Sequence, residues 1–219
     1  MRFAADCADV PYLLRAYYAW RRALPFVFVN GIRWQRRPGN RGLTLDTRPV
    51  GLARWSAFRT PWRLLHDLGG RVNSNWFRMR PEVEEGDWYP VRIARGAIHP
   101  GTAFYDPDGH VLVVYDITPE GDVLLFDGHP GGSITARRMD ATLTPGSFRL
   151  GGGFVNWRAP VLRDGVIVRP RNADLADYDG QAQYDRARRV VGGLPVRFDA
   201  WVRASLGRVE APPQTVAQR

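Results

Sequence analysis

The stretch GTAFYDPDGHVLVVYDITPEGDVLLFDGHPGG, residues Gly101 to Gly132, reads as three short strands separated by turns. Its runs of aromatic, β-branched and other apolar residues are bounded by Asp-Pro-Asp-Gly and Pro-Glu-Gly-Asp, both turn formers. His110 opens the second strand behind the Asp108-Gly109 turn, and Asp127 closes the third before Gly128-His129-Pro130. Connections this short imply antiparallel pairing. A simple hairpin about residues 119–122 sets the partner of His110 near residue 131. Asp127 then falls about four residues short, so a bulge or extra twist is needed to bring the two side chains together.

Working outward, the only cysteine of the chain, Cys7, stands at the head of an amphipathic segment. Asp6 can cap a helix there, with Asp9 three residues on as a variant of the capping box. Pro11 is tolerable only near the first turn, where backbone N–H groups lack partners. Leu13, Leu14, Tyr17 and Tyr18 supply an apolar stripe, Arg21 and Arg22 suit the last turn, and Pro25 stops the helix.

Residues 26–60 start with the strand-like run FVFVNGIRW, in which Asn30-Gly31 is a hairpin signal, followed by loop from Arg36 to Asp46. Thr60 is a natural N-cap for a short helix, WRLLHDL, with Pro61 at its first position and Gly69-Gly70 at its end. Beyond the opening block, ITARRM, SFRLGGGFVNWRAP (interrupted by three glycines) and DGVIVRP read as strands. From about residue 172 the pattern turns helical, first over ADLADYDGQAQYDRARRVV and then over LPVRFDAWVRASL. The expected fold class is α+β: a cysteine-bearing helix on an antiparallel sheet, hairpin connections and C-terminal helices. Residues 1–170 form the expected main domain, with an inserted region at about 26–98. Residues 171–219 form a helical extension packed on it.

Composition limits the partners. The 219 residues carry a net charge of +9 and are 44% hydrophobic with eight Trp, enough for a large core. The basic excess favours an anionic partner such as a polymer or lipid headgroups. Basic residues are scattered and no nucleic-acid motif is present, which argues against specific nucleic-acid binding. No stretch of 18 apolar residues exists to span a membrane. One cysteine excludes an internal disulfide. The opening MRFAADCADV lacks the layout of a signal peptide, and a helix starting almost at once leads us to expect a preceding leader or N-terminal segment.

Cys7, His110 and Asp127 are the candidate catalytic residues. A thiolate is the nucleophilic form of cysteine, and both a helix N-terminus and a protonated imidazole favour it. Asp6 and Asp9 oppose it unless they cap and point away. Asp127 can accept from one ring nitrogen of His110 and fix its tautomer. His129 faces the same side of the strand as Asp127 and is the alternative orienting residue. Ordinary readings stand beside these: a buried small hydrophobe for Cys7, surface polarity for His110, a turn former for Asp127. Their order in the chain and their places on helix and strands favour the chemical reading. His66 reads as a helix-surface or core residue and His99 as a turn residue. Asn73, Asn75, Trp76 and Trp88 are of the kind that line a polar groove, although burial is the commoner fate of tryptophan. Scattered histidines at no ligand spacing point to neither a metal nor a cofactor.

A helix-borne Cys, a His at a strand start and an Asp at the end of the next strand form the order of papain-like thiol hydrolases. The stretch from His99 to Pro130 resembles the histidine-bearing half of NlpC-type and CHAP cell-wall hydrolases, through Pro100-Gly101, AFY and Gly109-His110-Val111. Phe126-Asp127-Gly128 is similar to the acid-bearing strand end of bacteriocin-leader and transglutaminase-like proteases, and Asp6-Cys7 to the helix start of these families. The resemblance implies a papain-like cysteine peptidase or amidase that needs no cofactor, acting on a peptide or peptidoglycan-like substrate in the bacterial periplasm or outside the cell. Alternatives are transglutaminase-like acyl transfer and an inactive papain-like module that binds an anionic cell-wall polymer. Two departures count against a compact member of the group. Cys7 and His110 lie 103 residues apart, and only six residues precede Cys7 to supply the usual upstream oxyanion donor.

Overall fold

The computed structural model describes residues 5–36, 44–57 and 59–208. In chain order the elements are α1 (Asp9–Arg21), β1 (Val27–Arg36), β2 (Thr44–Arg54), α2 (Pro61–Arg71), β3 (Trp88–Pro90), β4 (Ala103–Asp106), β5 (His110–Ile117), β6 (Val123–Gly128), β7 (Ile134–Arg138) and β8 (Gly153–Trp157). Two small hairpins follow, β9 (Val161–Arg163) with β10 (Val166–Val168) and β11 (Val190–Val191) with β12 (Leu194–Pro195), and α3 (Phe198–Leu206) comes last. A six-stranded sheet in the order β3-β8-β4-β5-β6-β7, antiparallel throughout, organises the molecule. The architecture is α+β.

Strand alternation divides the sheet between two cores. Ala103, Tyr105, Val111, Val155 and Trp157 face α1 and α2, whose Tyr12, Ala16, Leu64 and Leu68 close that side. Phe104, Leu112, Val114, Leu125 and Phe154 face the other way, onto Phe198, Val202 and Leu206 of α3. A buried polar knot pins α1 to its core. Tyr12 donates to Asp87 at 2.8 Å, Asp87 accepts from the Val29 N–H at 2.9 Å, and Arg169 lies 3.0 Å from the same carboxylate. Phe77, Trp88 and Trp157 meet the Tyr12 ring edge-on.

Three local expectations need correction. Asn30-Gly31 is no turn: it lies inside β1, with Gly31 opposite Val50. A two-residue hairpin of that type needs left-handed backbone at both residues, and neither has a positive φ. The buried Phe28 and Val29 carry the strand through. Of the loop expected over Arg36–Asp46, residues 37–43 lie outside the described residues, while Thr44 to Asp46 already belong to β2. Helix α2 starts as read, with Thr60 accepting from the Arg63 N–H at 3.2 Å. It runs through Gly69-Gly70 to Arg71, whose guanidinium grips Asp67 at 2.7 Å and the Asn30 carbonyl at 2.8 Å.

The helix expected from about residue 172 does not form. Two 3₁₀ turns, Asn172–Asp174 and Arg186–Arg188, and the β11–β12 hairpin occupy that stretch. Its aspartates take local backbone partners instead, Asp179 from Gln181 and Ala182 at 2.9 Å and Asp185 from Ala187 at 2.9 Å. Gln183 is drawn wholly inside to bond both the N–H and the C=O of Phe154. Within the C-terminal extension, the described α-helix is therefore α3 alone. The middle region, residues 26–98, supplies β3 to the central sheet and Asp87 to the knot under α1.

Candidate active site

Helix α1 begins on a reciprocal cap. Asp6 Oδ1 accepts from the N–H groups of Ala8 and Asp9 at 2.9 and 3.2 Å, and the Asp6 N–H donates to Asp9 Oδ2 at 3.0 Å. With the Val10 N–H returning to the Asp6 carbonyl at 3.3 Å, these bonds close a capped turn that holds Cys7 two residues ahead of Asp9, where α1 starts. Both carboxylates are thus turned into the cap. It uses the amides of Ala8 and Asp9, while the Cys7 N–H has no acceptor among the described residues. Asp9 is 3% exposed; its Oδ1 has no partner, and burial pushes its pKa up to about 7, the neighbouring Asp6 charge adding to the effect and the Asp6 N–H opposing it.

The β5–β6 hairpin resolves its register with one extra residue. Near the turn Asp116 pairs with Leu124, but beyond it Val114 pairs with Leu125 and Val113 with Phe126. Tyr115 is the bulge. Continued, this register sets Leu112 opposite Asp127, two residues from His110 at the open end of the hairpin. The His110 Nε2 is hydrogen-bonded to Asp127 Oδ2. Asp127 is buried, while the His110 side chain is 37% exposed.

Cys7 reaches the same ring. The pKa of His110 is raised from 6.5 to about 9, Cys7 being the largest cause and Asp127 the next to raise it, against an opposing push from partial burial. The cysteine is half-buried, packed on the edge of the α1 core. The three residues singled out from the sequence therefore meet at one point, brought there by α1, β5 and β6.

Gly128 makes that meeting sterically feasible. A Cβ there would come within 2.7 Å of the Val10 side chain and 3.4 Å of the Asp6 carbonyl, so the start of α1 rests directly on the backbone beside Asp127. The sequence shows this glycine only as part of a turn signal. Nor does any local pattern announce Asp87 and Arg169, which hold Tyr12 from 75 and 157 residues away.

His129 adjoins the site without joining His110. Its Nε2 bonds the Thr135 hydroxyl at 2.8 Å and lies 3.6 Å from Asp127 Oδ1, while its ring is nearly parallel to that of His110 at 6.2 Å. Asp127, and not His129, bonds His110. His66 is exposed on α2, and His99 is exposed in a turn with its Nδ1 2.9 Å from the Pro100 carbonyl. Trp76 and Trp88 are buried, and Asn73 caps a 3₁₀ turn by accepting from the Asn75 N–H at 3.0 Å. Among the described residues, no group of three or more His, Cys, Asp or Glu converges as a metal ion requires, and no helix is long and apolar enough to cross a membrane. No known family model, curated protein or solved structure matches the chain.

Proposed function

We propose that this chain is a papain-like cysteine hydrolase acting on peptide or amide bonds. The observation that carries the reading is a histidine bonded to a buried aspartate, with the lone cysteine, in the capped turn before α1, near enough to act on the histidine's charge. A His110 that stays protonated to about pH 9 is the partner a nucleophilic thiolate needs at neutral pH.

In this reading Cys7 Sγ attacks the carbonyl carbon of the scissile bond. As the C–N bond breaks, His110 gives its proton to the departing amine and the acyl group remains on sulfur. Water then attacks the thioester, His110 takes up its proton, and the carboxylic acid leaves as Sγ is released. Asp127 holds one ring nitrogen of His110 and leaves the other for the thiol. The Cys7 N–H, which has no acceptor among the described residues, is available to the oxyanion, where one donor contributes about 10²–10³ in rate. A peptide of the bacterial cell wall as substrate, and an envelope location, belong to the same proposal through the family resemblance.

Alkylation by iodoacetamide across a pH series tests it. Cys7 in the native chain is expected to react below about pH 7 at least roughly tenfold faster than in His110→Ala, because the imidazolium favours the thiolate. A cysteine that reacts only above about pH 8 in both chains rejects the activated thiol.

A further inference from the structure

We propose that a groove beside α1 binds a peptide substrate bearing a carboxylate, and that Arg15 is the residue that recognises that carboxylate. The proposal deepens the hydrolase reading above and rests on it for the position of the scissile bond.

The groove is a cavity of about 650 Å³ between α1 and the sheet. Pro11, Leu14, Arg15 and Tyr18 form its helix wall, with Tyr89 and Trp157 across from them. Arg15 is the anomaly. Its guanidinium stands over the Tyr18 ring at 5.1 Å, yet among the described residues it has no hydrogen-bond acceptor and no carboxylate, and its Nε is buried without a partner. The deeper arginines also leave single nitrogens without partners, Arg78 Nη1 and Arg169 Nε and Nη1 among them, but each keeps at least one acceptor elsewhere on its guanidinium. Arg158 bonds the Gly86 and Pro170 carbonyls and Asn172, and Arg78 bonds the Tyr105 hydroxyl and the Pro107 carbonyl. A guanidinium offers five donors in a fork that matches a carboxylate, and leaving it unmatched and partly desolvated is unfavourable. The one carboxylate in the cavity wall, Asp177, is occupied by the Tyr89 hydroxyl at 2.9 Å and Asn156 at 2.8 Å.

Helical spacing ties the groove to the thiol. Pro11, Leu14, Arg15 and Tyr18 share one face of α1, and Cys7, in the turn just before the helix, precedes Pro11 by four residues. Eight residues separate Cys7 from Arg15, about 12 Å along the axis at 1.5 Å per residue. An extended peptide covers roughly 3.3–3.6 Å per residue, so the recognised carboxylate belongs to the third or fourth residue from the scissile bond. The aromatic walls suit uncharged residues between.

The test uses blocked alanine hexapeptides with one glutamate at each position in turn, and their glutamine twins, titrated calorimetrically into the full chain carrying Cys7→Ala. One glutamate position should bind about tenfold or more tighter than its twin, the size expected for a hydrogen-bonded charge. Arg15→Gln in that background should erase the preference, and Arg15→Lys should keep part of it, because a point charge lacks the fork. Melting curves check that both variants fold; if Arg15→Gln does not, Arg15→Lys alone decides by its weakened preference. Equal binding of all twins, no binding of any glutamate peptide, or a preference untouched by either substitution overturns the proposal. Alkylation of Cys7 judges the hydrolase reading separately: a reactive thiol without glutamate preference rejects Arg15's role alone, and preference without a reactive thiol rejects hydrolysis.

Discussion

His110 carries two partners of unequal weight, and that inequality can be measured. Cys7 is the larger cause of its rise to about 9, and Asp127, to which it is bonded, the smaller. In an NMR titration of the His110 ring, Asp127→Asn should lower the midpoint part of the way toward 6.5, and Cys7→Ala should lower it further. A ring that titrates alike in all three chains would show that neither contact governs its charge. The sequence made these residues candidates because each sits where its element exposes it: a helix start, a strand start, a strand end. Their contact was not legible, since a one-residue bulge decides it and Tyr115 bears no mark of being the extra residue.

At the scale of elements, what was legible was local. Thr60 and the Asp6–Asp9 pair declare themselves because a cap is a matter of three or four adjacent residues. The runs that became β4, β5 and β6 were equally plain, since apolar stretches between turn formers need no distant information. Asn30-Gly31 misled because pairing with β2 overrode a two-residue preference. The stretch from residue 172 misled because Gln183 serves the sheet and not a helix. The contact of α1 with β6 gives the sharpest test at this scale. Gly128→Ala drives a methyl into Val10, and overpacking of this kind costs about 1–3 kcal/mol. The melting temperature should drop, and alkylation of Cys7 at neutral pH should fall by more than the loss of folded protein explains. Unchanged alkylation would mean that the start of α1 is not what sets the thiol.

The whole molecule feels the same groups through its pH stability. His110 is raised above its ordinary 6.5, so its contribution is fully present below that pH and is lost as pH rises to about 9. Asp9 has the same sign. Its carboxyl is raised from 3.8 to about 7, the folded chain holds that proton more tightly than the unfolded chain, and stability falls as pH rises from about 4 to 7. Melting temperature should therefore decline from about pH 4 to pH 9. Asp9→Asn, whose side-chain oxygen can still accept from Asp6, should flatten the lower part of that decline and leave the upper part intact. A slope between pH 4 and 7 unaltered by Asp9→Asn would sink this assignment.

The β5–β6 hairpin is held at both ends by opposite parts of the chain. Its open end lies under the start of α1, and its turn is clasped by the last helix, where the Arg208 N–H bonds the Pro119 carbonyl at 2.8 Å and Arg203 lies 3.0 Å from Asp122. About 200 residues separate Cys7 from this clasp. At roughly 5–20 residues per second, a ribosome releases the cysteine on the order of 10–40 s before the segment that fastens the hairpin. Cys7 is therefore made well before the segment that fastens the hairpin beneath it, and for that interval its thiol waits without its finished surroundings.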